Sequence, residues 1–221
     1  MTFATVCTDN YIQYLIKLIR SILRHNRWFD YEIVCFHDQR LSEESKERIL
    51  KEYDKVRFVF VDFSKYESNY KASIKYFSIE AFGLEGAVIF MDADLLCCGD
   101  ISPLVNMVHK MDRIGMTKEN RRVTEKFNAG LILIPSKFVN KEVYNNLLEF
   151  NDREINCQLN DQKLYNHFFN DIEEIDSVYN AMVTEVDSIQ GLVFLHYIHK
   201  PDHQVGVLHL KEWQIKEWEV Y

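Results

Sequence analysis

Asp92 and Asp94, separated by Ala93, directly follow the apolar run Gly86-Ala-Val-Ile-Phe-Met91. An uninterrupted run of this kind, with helical patterns on either side, reads as a central strand buried on both faces. On extended backbone, residues i and i+2 project to the same side, so the two carboxylates are expected to converge while Ala93 faces away. Carboxylates are hard oxygen ligands that suit a divalent cation. The carboxyl end of a central strand is also where open α/β sheets take ligands. A bare D-x-D reads more simply as a solvated acidic turn; the apolar strand leading into this one favours a binding site.

The elements that must position these residues alternate between short apolar runs and helical patterns, which signals an α/β fold. Strands are expected at Thr2–Cys7, Tyr31–Phe36, Val56–Val61, Gly86–Met91, Leu131–Ile134 and Leu192–Ile198. Ile12, Leu15, Ile16, Ile19, Ile22 and Leu23 recur at helical spacing, opposite a face carrying Lys17, Arg20 and Arg24. A helix covering the sheet is the favoured reading of that pattern, with a membrane-surface helix as its rival. Ser42-Glu43-Glu44 opens a second helix by capping and favourable charge. Ser73–Phe82 is helical, Ser136 is expected to cap a helix running to about Phe150, and a shorter helix spans Asp161–Phe169. The charged stretch Lys118–Lys126 reads as a loop. There is no internal repeat or linker, so one domain is expected.

Composition narrows the chemistry. With 26 Lys and Arg against 34 Asp and Glu, the net charge of −8 argues against general attraction to nucleic acid. Seven glycines in 221 residues, with neither G-x-G-x-x-G nor G-x-x-x-x-G-K-[ST], leave glycine-rich phosphate cradles unsupported. A bound nucleotide would therefore be held by side chains and a metal. No apolar stretch is long enough to span a bilayer, and the N-terminus reaches Thr8-Asp9-Asn10 without a leader. The five cysteines are odd in number and lack zinc-type pairing. Cys7 and Cys35 read as small buried hydrophobes, and a reducing cytoplasm is the natural compartment.

Phe90-Met91-Asp92-Ala93-Asp94-Leu95, followed by Gly99-Asp100-Ile101, resembles the metal-binding block of glycosyltransferase family 8, which includes glycogenin and bacterial lipopolysaccharide galactosyltransferases. The resemblance continues in order along nearly the whole chain. Thr8-Asp9-Asn10-Tyr11 is similar to the family's uridine-binding turn, and Lys75 stands where the family has a basic residue contacting the donor. Phe127-Asn128-Ala129-Gly130 matches its F-N-[AS]-G element, which touches the donor sugar. Asp161-Gln162 through Asn166 matches its D-Q-x-x-x-N helix start, and Tyr179-Asn180 the Y-N that follows.

The resemblance implies a single GT-A (Rossmann-like nucleotide-diphospho-sugar transferase) domain over residues 1–221, with a mixed, mostly parallel central sheet flanked by helices. Residues of about 1–100 would take the nucleotide, and about 101–221 the sugar and acceptor. It further implies a retaining transferase of the hexosyl class that uses Mn2+, with Mg2+ as the alternative, and moves sugar from a UDP-sugar to a glycan or glycoconjugate acceptor. The implied donor-binding residues are Thr8, Asp9, Asn10, Tyr11, Lys75, Asp92, Ala93, Asn128, Ala129 and Lys200. The implied catalytic pair is Gln162 and Asp161, and the implied metal ligands are Asp92, Asp94 and His196.

The last element departs from the family pattern, which ends near H-[FY]-x-G-x-x-K-P-W. Here Leu195-His196-Tyr197-Ile198-His199-Lys200-Pro201-Asp202 is shorter, lacks the glycine and has Asp in place of Trp. His199, His203 and His209 therefore stay open as alternatives to His196, and Lys200 reads equally as an ordinary surface lysine. Tyr11 can lie against uracil or begin the apolar face of the first helix. Asn128 can be an exposed loop residue, and Asp161 a helix N-cap.

A haloacid-dehalogenase-type phosphatase also carries D-x-D after an apolar strand, but near its N-terminus and not after some ninety residues. A sugar nucleotidyltransferase would want a glycine-rich N-terminal loop. The remaining rival is a non-catalytic nucleotide-sugar or glycan-binding module on the same fold. Whether the chain is a whole enzyme or one domain of a longer polypeptide is left open by the sequence.

Overall fold

The computed structural model describes residues 1–62, 74–119, 125–153, 161–197 and 212–221. Its main sheet has seven strands, β1 (Thr2–Val6), β2 (Ile33–His37), β3 (Val56–Phe60), β4 (Val88–Met91), β6 (Ile114–Lys118), β7 (Phe127–Ile134) and β8 (Ile172–Ile175), in the order β3-β2-β1-β4-β7-β6-β8. A smaller sheet joins β5 (Leu95–Cys97), β10 (Phe194–His196) and β9 (Ala181–Met182), in that order. The helices are α1 (Ile12–His25), α2 (Glu43–Glu52), α3 (Ser102–Val108), α4 (Lys141–Arg153), α5 (Asp161–Phe168) and α6 (Glu212–Glu219).

From β3 to β4 the strands run parallel, β7 runs antiparallel between β4 and β6, and β6 and β8 are parallel again. The sheet is thus mixed and mostly parallel, as expected. Alternate residues of the central strands serve two cores. Ile89 and Met91 of β4 join Phe3, Ile33, Cys35 and the apolar face of α1 on one side. Val88 and Phe90 join Ala4, Val34, Phe36 and Ile132 on the other. Each fully buried Ile or Phe contributes about 1.5–3 kcal/mol, so β4 is anchored from both faces right up to the residue before Asp92.

The basic face of α1 does not lie bare. Arg20 donates from Nη1 to the Tyr221 carbonyl at 2.8 Å, and Lys17 from Nζ to the Trp218 carbonyl. The helix covers the sheet with its apolar face while its cations complement the carbonyl end of α6.

Several boundaries differ from expectation. β7 begins at Phe127 and not Leu131, which makes Asn128-Ala129-Gly130 part of the strand and buries them. Ser136 starts only a single 3-10 turn; the helix begins at Lys141, and Asn140 Oδ1 caps it by accepting from Val143 N at 3.0 Å. The expected helix near Ser73–Phe82 is a 3-10 helix, Ile74–Gly83. Lys118 closes β6 and Glu119 is buried, so the start of the expected charged loop is built into the sheet; residues 120–124 lie outside the described residues.

Candidate functional site

β4 ends at Met91, and Asp92-Ala93-Asp94 forms the tight turn into β5, closed by Leu95 N donating to Asp92 O at 3.3 Å. The two carboxylates therefore converge through a turn and not through strand alternation. Ala93 is buried behind them. His196 arrives from a different part of the chain. β10 pairs antiparallel with β5, which sets His196 opposite Leu95, and Tyr197 N donates to Asp94 O at 3.1 Å. His196 Nε2 lies 3.3 Å from Asp94 Oδ1 and 3.8 Å from Asp92 Oδ2. One ligand atom from each of the three residues falls within 4.8 Å of the others. Two hard carboxylates and an imidazole nitrogen at this separation suit a divalent cation. Among the described residues no other group of three meets this condition. His199, Lys200, His203 and His209 lie outside the described residues.

β7 supplies the wall beside this cluster. Because it runs antiparallel to β4, with Met91 opposite Leu131, its first residues pass the carboxyl end of β4, and Asp92 N donates to Gly130 O at 2.8 Å. A Cβ on Gly130 would stand 2.3 Å from His196 Cε1 and 2.6 Å from its Nδ1. The imidazole occupies the space that the missing side chain leaves. His196 Nδ1 itself is buried with no hydrogen-bond partner among the described residues.

Next to Gly130 lies a buried polar network. Asn128 Oδ1 accepts from Gly130 N and from Asn180 Nδ2, each at 2.8 Å, and Asn180 Nδ2 also reaches Thr117 Oγ1 at 2.9 Å. Asn128 Nδ2 donates to Glu119 Oε2 at 2.9 Å and to Gln162 Oε1 at 3.1 Å. Gln162 Nε2 donates to the same Glu119 oxygen at 3.1 Å, and Ala129 N approaches Gln162 Oε1 at 3.4 Å. Asn166, one turn further along α5, accepts from Phe127 N and donates to Phe127 O, both at 2.8 Å, pinning that helix to the start of β7.

Asp161 is buried and accepts from Gln162 N at 3.0 Å. The Tyr165 hydroxyl is driven well above the usual phenol range, first by burial and further by the Asp161 and Asp92 carboxylates, against a hydrogen bond with Ser78. One hydroxyl thus feels both the helix-start aspartate and the first aspartate of the D-x-D. Sequence reasoning left Asn128 open as a loop residue, but its side chain is at the centre of this network. It missed Glu119 altogether, since a lone glutamate in a charged stretch has no pattern to mark it.

On the other flank, Thr8 is buried while Asp9 and Asn10 are exposed. Tyr11 is half-buried against Tyr14, with ring centroids 5.6 Å apart. The Asp9 carboxylate accepts from Ser42 N at 2.9 Å and Ser42 Oγ at 3.0 Å, and hydrogen bonds from Ser45 and Ser42 hold it below the usual carboxylate range. Asp9 N donates to Arg40 O at 2.8 Å, and Arg40 grips the buried Asp38 through Nε at 2.9 Å. Asp38 and Arg40 thereby tie the end of β2 to the Thr8–Tyr11 turn. Lys75 stands in the 3-10 helix, but its side chain lies outside the description.

The family model described as Glycosyl transferase family 8 matches residues 3–216. The chain belongs to glycosyltransferase family 8. A search of curated protein sequences found no match. Among solved structures, galactosyltransferase LgtC in complex with donor and acceptor sugar analogs is similar at TM-score 0.76 and 15% identity, covering 100% of this chain and 96% of that one. Glycosyltransferase GlyE of Streptococcus pneumoniae TIGR4 is similar at TM-score 0.73 and 21% identity, covering 99% of this chain and 62% of that one. Mouse xyloside xylosyltransferase 1 is similar at TM-score 0.63 and 15% identity, covering 89% and 97%. At these identities the likeness establishes the fold, which is GT-A. Membership in family 8 supports a role in glycosyl transfer. No described helix is long and apolar enough to cross a membrane.

Proposed function

We propose that the chain is a metal-dependent, retaining glycosyltransferase that moves a sugar from a UDP-sugar to a hydroxyl of a glycan or glycoconjugate. One observation carries the reading: the Asp92–Asp94–His196 cluster and the Asn128–Gln162 network meet at Gly130. That backbone accepts no side chain beside His196, and its amide is held by Asn128. A cation-binding corner next to a buried set of amides and carboxylates suits a diphosphate joined to a sugar.

In this reading Asp92, Asp94 and His196 hold the cation, and the nitrogen ligand shifts preference from Mg2+ toward Mn2+. A cation held there would supply Lewis-acid chemistry that offsets charge developing on the diphosphate. Thr8, Asp9, Asn10 and Tyr11 line the uridine side, with Asp9 acting from a position braced by Ser42. Lys75 and Lys200 supply positive charge to the phosphates. In this reading Ala129 and Asp161 face the sugar, where a carboxylate accepts from hydroxyls, and Asn128, whose amide is taken up by Glu119, Gln162, Gly130 and Asn180, holds that wall in place.

The choice of side chains beside Gln162 supports retention. An inverting enzyme needs a general base across the sugar from the leaving group. Two carboxylates stand beside Gln162: this reading assigns Asp161 to the sugar, and Glu119 is engaged by the Asn128 and Gln162 amides. In a front-face reaction the acceptor oxygen bonds to the anomeric carbon as the bond to the diphosphate breaks. The acceptor proton passes to the departing phosphate oxygen. Gln162, a poor nucleophile, contributes its carbonyl dipole to the positive charge on the sugar.

The test is a panel of UDP-sugars incubated with Mn2+ and glycan acceptors, following released UDP. UDP release that depends on Mn2+ supports the reading. Binding of a UDP-sugar with no turnover under any acceptor would overturn it in favour of a binding module.

A further inference from the structure

We propose that Glu119 is a positioning residue that sets the orientation and polarity of the Gln162 amide; this rests on the reading of Gln162 as part of a glycosyl-transfer site. A primary amide has nearly the same shape whichever end carries the oxygen, so its neighbours decide which way it faces. Two such amides, Asn128 and Gln162, converge on one oxygen, Glu119 Oε2, at 2.9 and 3.1 Å. An ionised carboxylate only accepts, so both NH2 groups must turn toward it.

The opposite ends are then determined. Gln162 Oε1 faces β7, at 3.1 Å from Asn128 Nδ2 and 3.4 Å from Ala129 N. Asn128 Oδ1 faces Gly130 N and Asn180 Nδ2, both at 2.8 Å. A neutral residue at 119 would leave the choice open, because a glutamine there offers either a donor or an acceptor. The charge has a second effect. A hydrogen bond to an ionised acceptor is about twice as strong as a neutral one. By pulling on Nε2–H, it shifts electron density onto Oε1, the atom a developing positive charge would meet. Glu119 is buried, where burying a carboxylate is costly unless its hydrogen bonds are made. These two amides supply two of them.

Two measurements test this. The first needs no donor: in the wild-type protein labelled with 15N, the Gln162 and Asn128 side-chain NH2 protons should resonate downfield of ordinary amides. In Glu119→Gln they should move upfield together, while Asn166, which donates to backbone carbonyls, stays in place. Wild-type Gln162 protons at ordinary amide positions would overturn the proposal, even if no variant folds.

The second uses a donor that the wild type turns over. Glu119→Gln should lower kcat by about 10²-fold, with donor KM and UDP affinity changing less than about threefold. In a Gln162→Ala background the same substitution should cost nothing further. Glu119→Asp, which keeps the charge on a shorter stem, should recover part of kcat. Equal losses in both backgrounds, or a sugar found covalently on Glu119 by mass spectrometry, would overturn the proposal. If the wild type transfers from no donor, the proposed function fails, and the amide resonances alone decide the role of Glu119.

Discussion

The His196 ring sits where a side chain on residue 130 would be: a Cβ on Gly130 would lie 2.3 Å from His196 Cε1, closer than real Cβ contacts come. The His196 ring, carried at the end of β10, is mostly buried against the start of β7, so it has little room to retreat. Gly130→Ala should displace the imidazole and weaken Mn2+ affinity by about 10–100-fold, the range for disturbing a metal ligand's support. Overpacking should also lower stability by about 1–3 kcal/mol. Calorimetric Mn2+ affinity equal to wild type in a folded Gly130→Ala protein would contradict this geometry.

Asp92→Asn and Asp94→Asn should each leave the fold intact and abolish Mn2+-assisted UDP binding. The amide is nearly isosteric with the carboxylate but cannot offset the cation's charge. Titration calorimetry with UDP, with and without Mn2+, reads the difference directly. Unchanged Mn2+-dependent affinity in both variants would remove these residues from the metal site.

His196→Ala should weaken metal binding and make activity more dependent on added Mn2+, because one of three ligands is lost. His199→Ala and His203→Ala should leave both unchanged. A larger effect from His199→Ala would reassign the third ligand.

Gln162→Ala should slow transfer by about 10²-fold or more while UDP binding stays near wild type, the pattern for an interaction made in the transition state. The product should keep the donor's anomeric configuration, which proton NMR of the glycoside reads from its coupling constant. An inverted product would move the catalytic role to Asp161 as base.

Asp38 is predicted to make stability depend on acid. Burial pushes its carboxyl up, but the side-chain and backbone hydrogen bonds from Arg40 outweigh that and hold it below the usual range. A carboxyl lowered in the folded state contributes stability above its unfolded value of about 3.9, and loses it as pH falls through the folded value. Arg40→Ala should therefore cost about 1–2 kcal/mol at neutral pH, a figure kept small because Arg40 is 39% exposed. The cost should shrink as pH falls from neutral to well below the usual carboxylate range, through the folded value of Asp38, beneath which the carboxyl is protonated in both proteins. Urea unfolding at the two pH values measures it; an equal difference at both would exclude this linkage.

The α/β class, the double-faced burial of β4 and the candidacy of Asp92 and Asp94 were legible in the sequence. They depend on local pattern: an apolar run long enough for one strand, followed at once by charge. The F-N-A-G and D-Q elements were also legible, though only as resemblance, because nothing in their spacing says that they touch. Tertiary structure decided the rest. The antiparallel insertion of β7 beside β4 brings Asn128 and Gly130 to the aspartates, a pairing between segments far apart in the chain. The β5–β10 register delivers His196 to the same point. The burial of Glu119, a residue that any composition-based reading leaves in solvent, follows from β6 ending beside the start of β7 and α5. Hydrophobic periodicity reports which face of an element is buried. Which polar side chains share one small volume depends on strand order and register, and these are set by the packing of the whole sheet.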